Sequence, residues 1–145
     1  MWIPRWSSAT SRARGASLPS IDVPAGADFA QRYATMFVDV GEGGQPALSV
    51  LLRAAPTHGD ATERLQGVFD RQFLPVFRAA YPDQPDIDQR AALVFSQTIG
   101  MAYCRYLLRL EPLASMDKNA VHQAIAGVIR HFLTEPIAGP ASDSM

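Results

Sequence analysis

Apolar residues recur at spacings of three and four in five stretches of the chain, and none alternates with period two, so the pattern predicts an all-α protein. Phe29, Tyr33, Met36, Phe37 and Val40 define a first helix over residues 28–40. Asp28 stands where an N-cap would, and Gly41, Gly43 and Gly44 end the element. A shorter second helix opens at Pro46, whose missing N–H has no partner in a first turn anyway, and covers 47–55 with Leu48, Leu51 and Leu52 as its stripe until Pro56. It is too short to stand without packing on something else.

The third helix starts at Asp60-Ala-Thr-Glu63, a pattern suited to reciprocal capping, and carries Leu65, Phe69, Phe73, Val76, Phe77 and Ala80 in helical period. Pro75 falls inside that period and predicts a kink, because it removes one backbone hydrogen bond and crowds the preceding turn. Pro82 and Pro85 close the element. A second cap, Asp86-Ile-Asp-Gln89, starts a fourth helix that the pattern extends over 87–110. Ile87, Ala91, Val94, Thr98 and Met101 lie on one side of it, while Leu93, Phe95, Ile99, Ala102, Tyr103, Tyr106 and Leu110 occupy the others. A helix apolar all round is covered on several sides. Ser96, Gly100 and Cys104 form a ridge of small side chains along it, which would let another helix approach closely.

The fifth helix, capped by Asp117, covers 117–133. Val121, Ile125, Val128 and Phe132 form one stripe, and Ala120, Ala124 and Gly127 a second, small one. Two stripes imply two packing partners. The segments 1–27 and 137–145 are rich in Ser, Ala, Pro and Gly without apolar period and read as disordered, leaving 28–136 as one domain. Residues 1–20 hold Arg5, Arg12 and Arg14 and no acid, a composition shared with organellar transit peptides as well as with disordered tails.

Composition narrows the function. The net charge is -1, and the 13 basic residues are spread thinly, with Lys118 the one lysine, so a phosphate-binding surface is not expected. One cysteine, Cys104, excludes an internal disulfide and any cysteine-rich zinc site, and a reducing cytoplasm is the expected compartment. No apolar run reaches the roughly 18 residues of a membrane span.

Chemistry-bearing constellations are not apparent. His58, His122 and His131 show no metal-ligand spacing, so neither metal nor cofactor is expected. The acids Glu42, Asp60, Asp86 and Asp117 fall at predicted helix ends, where capping places them. Cys104 reads as a buried thiol in the small ridge. Phe69, Phe73 and Phe77 form an aromatic stripe beside the Pro75 kink, and with Phe95, Tyr103 and Arg105 they make a candidate ligand pocket of the kind that opens between bundle helices. Core packing for the rings, and interhelix bonding for Arg105, are the alternatives.

Three words carry a resemblance to a known family: Leu51-Leu-Arg-Ala-Ala-Pro-Thr-His58, the run from Arg90 to Gln97 with its continuation to Ser115, and Arg130-His-Phe-Leu-Thr-Glu-Pro136. In their order and spacing the chain resembles the C-terminal regulatory domain of the tetracycline-repressor (TetR) family of bacterial transcription regulators. The resemblance implies a five-helix regulatory domain that binds a small-molecule effector and pairs its last two helices with those of a second subunit, itself or a full-length relative, in a four-helix dimer interface. Ser96, Gly100, Cys104, Ala120, Ala124, Gly127 and Val128 are the candidate interface residues. The apolar excess on the last two helices points the same way. Residues 1–27 are too short and irregular for the helix-turn-helix such regulators use on DNA, so this chain is expected to lack its own reader. A catalytic role is not expected; a small helical ligand-binding protein or enzyme is the alternative.

Overall fold

The computed structural model describes residues 28–43 and 46–137. All of the regular structure among them is helical. Helix α1 is Phe29–Glu42, α2 is Pro46–Ala54, and α3, Gly59–Val68, runs through a π-helical turn at Phe69–Phe73 into α4, Leu74–Ala80. Helix α5, Ile87–Ala102, continues into a second π turn at Tyr103–Leu107. A short 3-10 turn at Leu113–Ser115 leads to α6, Lys118–Thr134. With α3 and α4 forming one rod, these are the five predicted helices. Two expectations, the disordered segments at 1–27 and beyond Ile137, lie outside the described residues.

The core is a single cluster of buried residues from α1, α2, α4, α5, α6 and the first π turn, with the half-buried Leu65 and Val68 of α3 packed against it. Helix α6 lies between α1 and α5, and α4 packs on α5. Phe29, Tyr33, Phe37 and Val38 of α1 meet Val121, Ile125, Ala126, Ile129 and Leu133 of α6 inside that cluster, all buried. At the edge of the α1 and α6 seam, His122 Nε2 lies 2.9 Å from Thr35 Oγ1, and the Lys118 ammonium meets Asp39 at 2.8 Å.

Local details depart from the pattern, each for a physical reason. Helix α1 does not stop at Gly41 but passes through it to Glu42, since Gly41 gives room for the Tyr106 ring, which occupies the space a Cβ would need. Gly44 lies outside the described residues. The reciprocal cap at Asp60 and Glu63 does not form, because α3 is capped two residues earlier, with extended His58 at its N-cap. Thr62 instead donates to the Ala55 carbonyl at 2.7 Å and ties α3 to the end of α2. Asp86 stands at the N-cap of α5 but makes no side-chain capping bond to the first turn; its carboxylate accepts from Arg90 Nε at 2.9 Å. Asp117 does cap α6, accepting from the Asn119 N–H at 2.9 Å.

Pro75 produces the π turn just ahead of it. A proline ring collides with the carbonyl four residues earlier, and widening the turn so that Leu74 N–H bonds Phe69 O relieves that crowding without breaking the rod. At the other end, α5 stops short of the predicted residue 110. Leu108 N–H bonds Tyr103 O and Leu110 N–H bonds Cys104 O, while Arg109 takes a left-handed φ of 52° and turns the chain away. Nor is α5 covered all round: Ser96, Gln97 and Gly100 are exposed. In α6 the buried stripe is Val121, Ile125, Ile129 and Leu133, so Val128 and Phe132 sit half-buried at its edge.

Candidate functional site

The aromatic residues of α1, the first π turn, α4 and α5 form one continuous group. Phe77 of α4 meets Phe29 and Tyr33 of α1 edge-on, with ring centroids 5.2 and 5.3 Å apart. Phe73, in the first π turn, is the hinge of the group, 6.0 Å from Tyr33 and 4.8 Å from Phe95 of α5. Phe69 closes on Phe95 at 5.2 Å. These offset and edge-to-face contacts are the arrangements that aromatic quadrupoles prefer. The structure therefore brings Phe69, Phe73, Phe77 and Phe95 together, with Tyr103 half-buried against the same core. Phe73 and Phe77 are buried, whereas Phe69 and Phe95 are partly open to solvent.

Arg105 is not placed with them. Its buried guanidinium reaches Glu42 at the end of α1 at 2.9 Å and donates to the carbonyls of Leu113, Ala114 and Met116 at 2.6, 3.4 and 3.0 Å. Burial opposes its charge, but the bonds from Glu42 and Tyr106 outweigh that and raise its pKa above the ordinary value. Tyr106 donates to the same Glu42 oxygen at 3.1 Å. Its phenol is pushed up by burial first and by the Glu42 carboxylate second. Arg105 thus serves as a clamp that holds the turn after α5 against α1.

The small-residue ridges lie on the surface. Ser96, Gly100, Ala120, Ala124 and Gly127 are exposed, while Cys104 and Val128 are half-buried. A Cβ added at Gly100 or Gly127 would meet nothing within 4 Å. The two ridges belong to helices that pack on each other. A surface pocket of about 460 Å³ along residues 80–86 contains none of these candidates. Among the described residues no group of three or more His, Cys, Asp or Glu could hold a metal ion, and no helix is long and apolar enough to cross a membrane.

A family model described as tetracyclin repressor-like, C-terminal domain, matches residues 27–133. The chain belongs to that family. No curated protein and no solved structure matches it. The tetracyclin repressor-like C-terminal domain is a regulatory unit rather than an enzyme, and its all-α architecture is the one described above.

Within this TetR-like domain, four polar residues of the interior have no place in the sequence reading of the site. Arg90 is buried on the Ile87 and Ala91 face of α5 and donates to the carbonyls of Phe132 and Glu135 at 2.7 and 2.6 Å, capping the end of α6. The available signal is an arginine four residues after Asp86 on a core-facing stripe. Tyr33 and Thr98 are fully buried, and Gln72 stands in the π turn with its carbonyl oxygen buried. Burial pushes the Tyr33 phenol far above its usual range. Helical period puts Tyr33 and Thr98 on inward faces, but gives no hint that their polar atoms would meet there.

Proposed function

We propose that this chain is the effector-binding and homodimerising part of a TetR-like transcription regulator, and that operator DNA is contacted by a separate helix-turn-helix rather than by the helices described here. The family match over residues 27–133 supports the regulatory half of this reading. The observation that carries the dimer is the open position of Ser96 and Gly100 on α5 and of Ala120, Ala124 and Gly127 on α6. Apolar and small residues on two packed helices make a surface that a matching pair of helices covers at the 8–10 Å spacing of ridge-into-groove packing. An interface of about 1,600 Å² is the ordinary size for such a pair.

The aromatic group around Phe73 is the effector region. Its half-open members, Phe69 and Phe95, lie on different helices, so a ligand that parts the α3–α4 rod from α5 would gain aromatic contact on both sides. The regulator's response would then be a shift in how these helices are held.

Sedimentation velocity of the 145-residue chain tests the assembly. A dimer at micromolar concentration is expected, and a stable monomer there overturns it. In a gel-shift assay the chain alone is expected to give no sequence-specific complex, which fits its thin distribution of basic residues. Specific retardation of one DNA fragment over others would overturn the assignment of DNA contact to a separate segment.

A further inference from the structure

The two helices that carry the open face are pinned to each other at both ends. Among the described residues the buried charged side chains are Arg90 and Arg105, and they stand at opposite ends of the α5 and α6 pair. Arg90 joins the start of α5 to the carbonyls of Phe132 and Glu135 at the end of α6. Arg105, in the π turn that ends α5, bonds the carbonyls of Leu113, Ala114 and Met116, which lead into α6. Between these pins neither 91–104 nor 119–129 contains an Asp, Glu, Lys or Arg. The pair thus presents an uncharged face whose charges are confined to its ends.

The two pins differ in their carboxylates. Arg90 takes Asp86 from the start of its own helix, whereas Arg105 takes Glu42 from α1. Arg105 Nη2 and the Tyr106 hydroxyl bond the same Glu42 oxygen at 2.9 and 3.1 Å, and the Lys118 ammonium meets Asp39 at 2.8 Å. Both acids belong to the last turn of α1, and Lys118 is the first residue of α6. A helix dipole favours cations at the C-terminal end and anions at the N-terminal end, so Asp39, Glu42 and Lys118 all stand where their own helix disfavours them. Exposed ion pairs add little stability by themselves, and Lys118 and Asp39 are each more than half exposed. Charges set against the dipole for so weak a pair fit a part that fixes how α1, α5 and α6 lie relative to one another. Departures of this kind from local preference concentrate at functional positions.

We propose that the last turn of α1 is a brace on which subunit pairing depends. Glu42, through Arg105, and Asp39, through Lys118, hold the end of α5 and the start of α6 in the setting that a second copy of the chain fits. They are positioning residues, acting through the two helices rather than by touching the partner. Close packing of small side chains depends on that setting, because affinity comes from a face already held in its bound shape. A displacement of α1 therefore changes the strength of pairing without altering any residue of the open face. The inference rests on the homodimer reading above and adds to it the part of the fold that controls it.

Sedimentation velocity of the full chain over a dilution series tests it, with circular dichroism to follow the fold. Asp39→Asn with Glu42→Gln cuts both links to α1. It is expected to keep the helical spectrum while raising the dimer dissociation constant about tenfold. Asp60→Asn with Glu63→Gln removes the same charge from the exposed start of α3 and should leave pairing unchanged. An unchanged dissociation constant in the first variant overturns the proposal and keeps the dimer. Equal weakening in the second does the same, since net charge would then be the cause. If the first variant loses its helical spectrum, a charge swap decides. Asp39→Lys alone, facing Lys118, should weaken pairing, and Asp39→Lys with Lys118→Asp should restore it; a swap series without both effects overturns the proposal. A parent chain that stays monomeric removes the dimer reading itself, and this inference with it.

Discussion

Arg90 Nη1 donates to the Phe132 carbonyl at 2.7 Å, joining the start of one long helix to the end of another 42 residues away. The same nitrogen bonds the Glu135 carbonyl at 2.6 Å, and Nε holds Asp86 at 2.9 Å. One guanidinium therefore satisfies carbonyls that the last turn of α6 cannot pair within the helix. Replacing Arg90 with Met keeps the apolar stem and leaves those carbonyls and the Asp86 carboxylate without their partner, at a cost of about 2–4 kcal/mol. Arg90→Lys should recover a minor part, because an ammonium lacks the planar fork that serves three acceptors. Urea denaturation of the three proteins gives the ranking directly, and a Met variant as stable as the parent would contradict this role.

A second structural dependence links Gly41 and Tyr106. A Cβ at Gly41 would fall on the Tyr106 ring, whose hydroxyl is bonded to Glu42 at 3.1 Å and which lies beside the Arg105 guanidinium, 5.6 Å from centroid to Cζ. Gly to Ala inside a helix ordinarily stabilises, but here the ring must move, and Gly41→Ala is expected to destabilise by about 1–3 kcal/mol. Tyr106→Leu removes the obstacle. In the double variant the alanine should regain its usual advantage, so the two changes are strongly non-additive in a thermal-melt cycle. Additive effects would show that the contact does not constrain Gly41.

The elements with strong period were legible in the sequence, and their ends were not. Phe29, Tyr33 and Phe37, or Val121 and Ile125, announce a buried face because spacing alone fixes which side of a helix they share. The end of α5 is set instead by Arg105 capturing the carbonyls at 113, 114 and 116 and by Arg109 turning left-handed. Neither event has a signature in local spacing. Gly41 shows the same limit, for it reads as a helix stop by propensity and serves as a helix interior because a ring from another helix rests on it. Around Phe73 the rings were legible as a stripe, whereas Tyr33 joins them from a separate helix, a meeting that local spacing does not encode.

Acid sensitivity should come from two carboxylates at the start of α5. The Asp86 carboxyl is held below its usual range by the hydrogen bond from Arg90, and that of Asp88 by the paired bonds from Arg78 at 2.9 and 2.6 Å. A carboxyl whose folded pKa is depressed contributes stability that is fully present above its unfolded value, about 3.9, and is lost as pH falls through the lower folded value. The melting temperature should thus be insensitive to these groups near neutrality and fall below about pH 4. Asp86→Asn with Asp88→Asn should flatten that acid limb in melts followed by circular dichroism. An acid limb of unchanged steepness would assign the loss to other groups.

The sign of one substitution decides whether the open ridges are an interface. Gly100 and Gly127 both lie within helices, and a methyl group at either meets nothing within 4 Å in the single chain. In an isolated subunit, Gly100→Ala with Gly127→Ala should therefore gain about 0.5–1 kcal/mol per site from helix propensity alone. In a dimer whose helices close on those positions, each interface receives both methyl groups twice, from symmetry-related subunits. Overpacking of that kind outweighs the propensity gain and separates the helices. The double variant is accordingly expected to melt higher at high dilution, where subunits are apart, and to sediment as a dimer only at higher concentration than the parent. If dimer affinity is unchanged while stability rises, Gly100 and Gly127 face water in the assembly and the partner covers another side of α5 and α6.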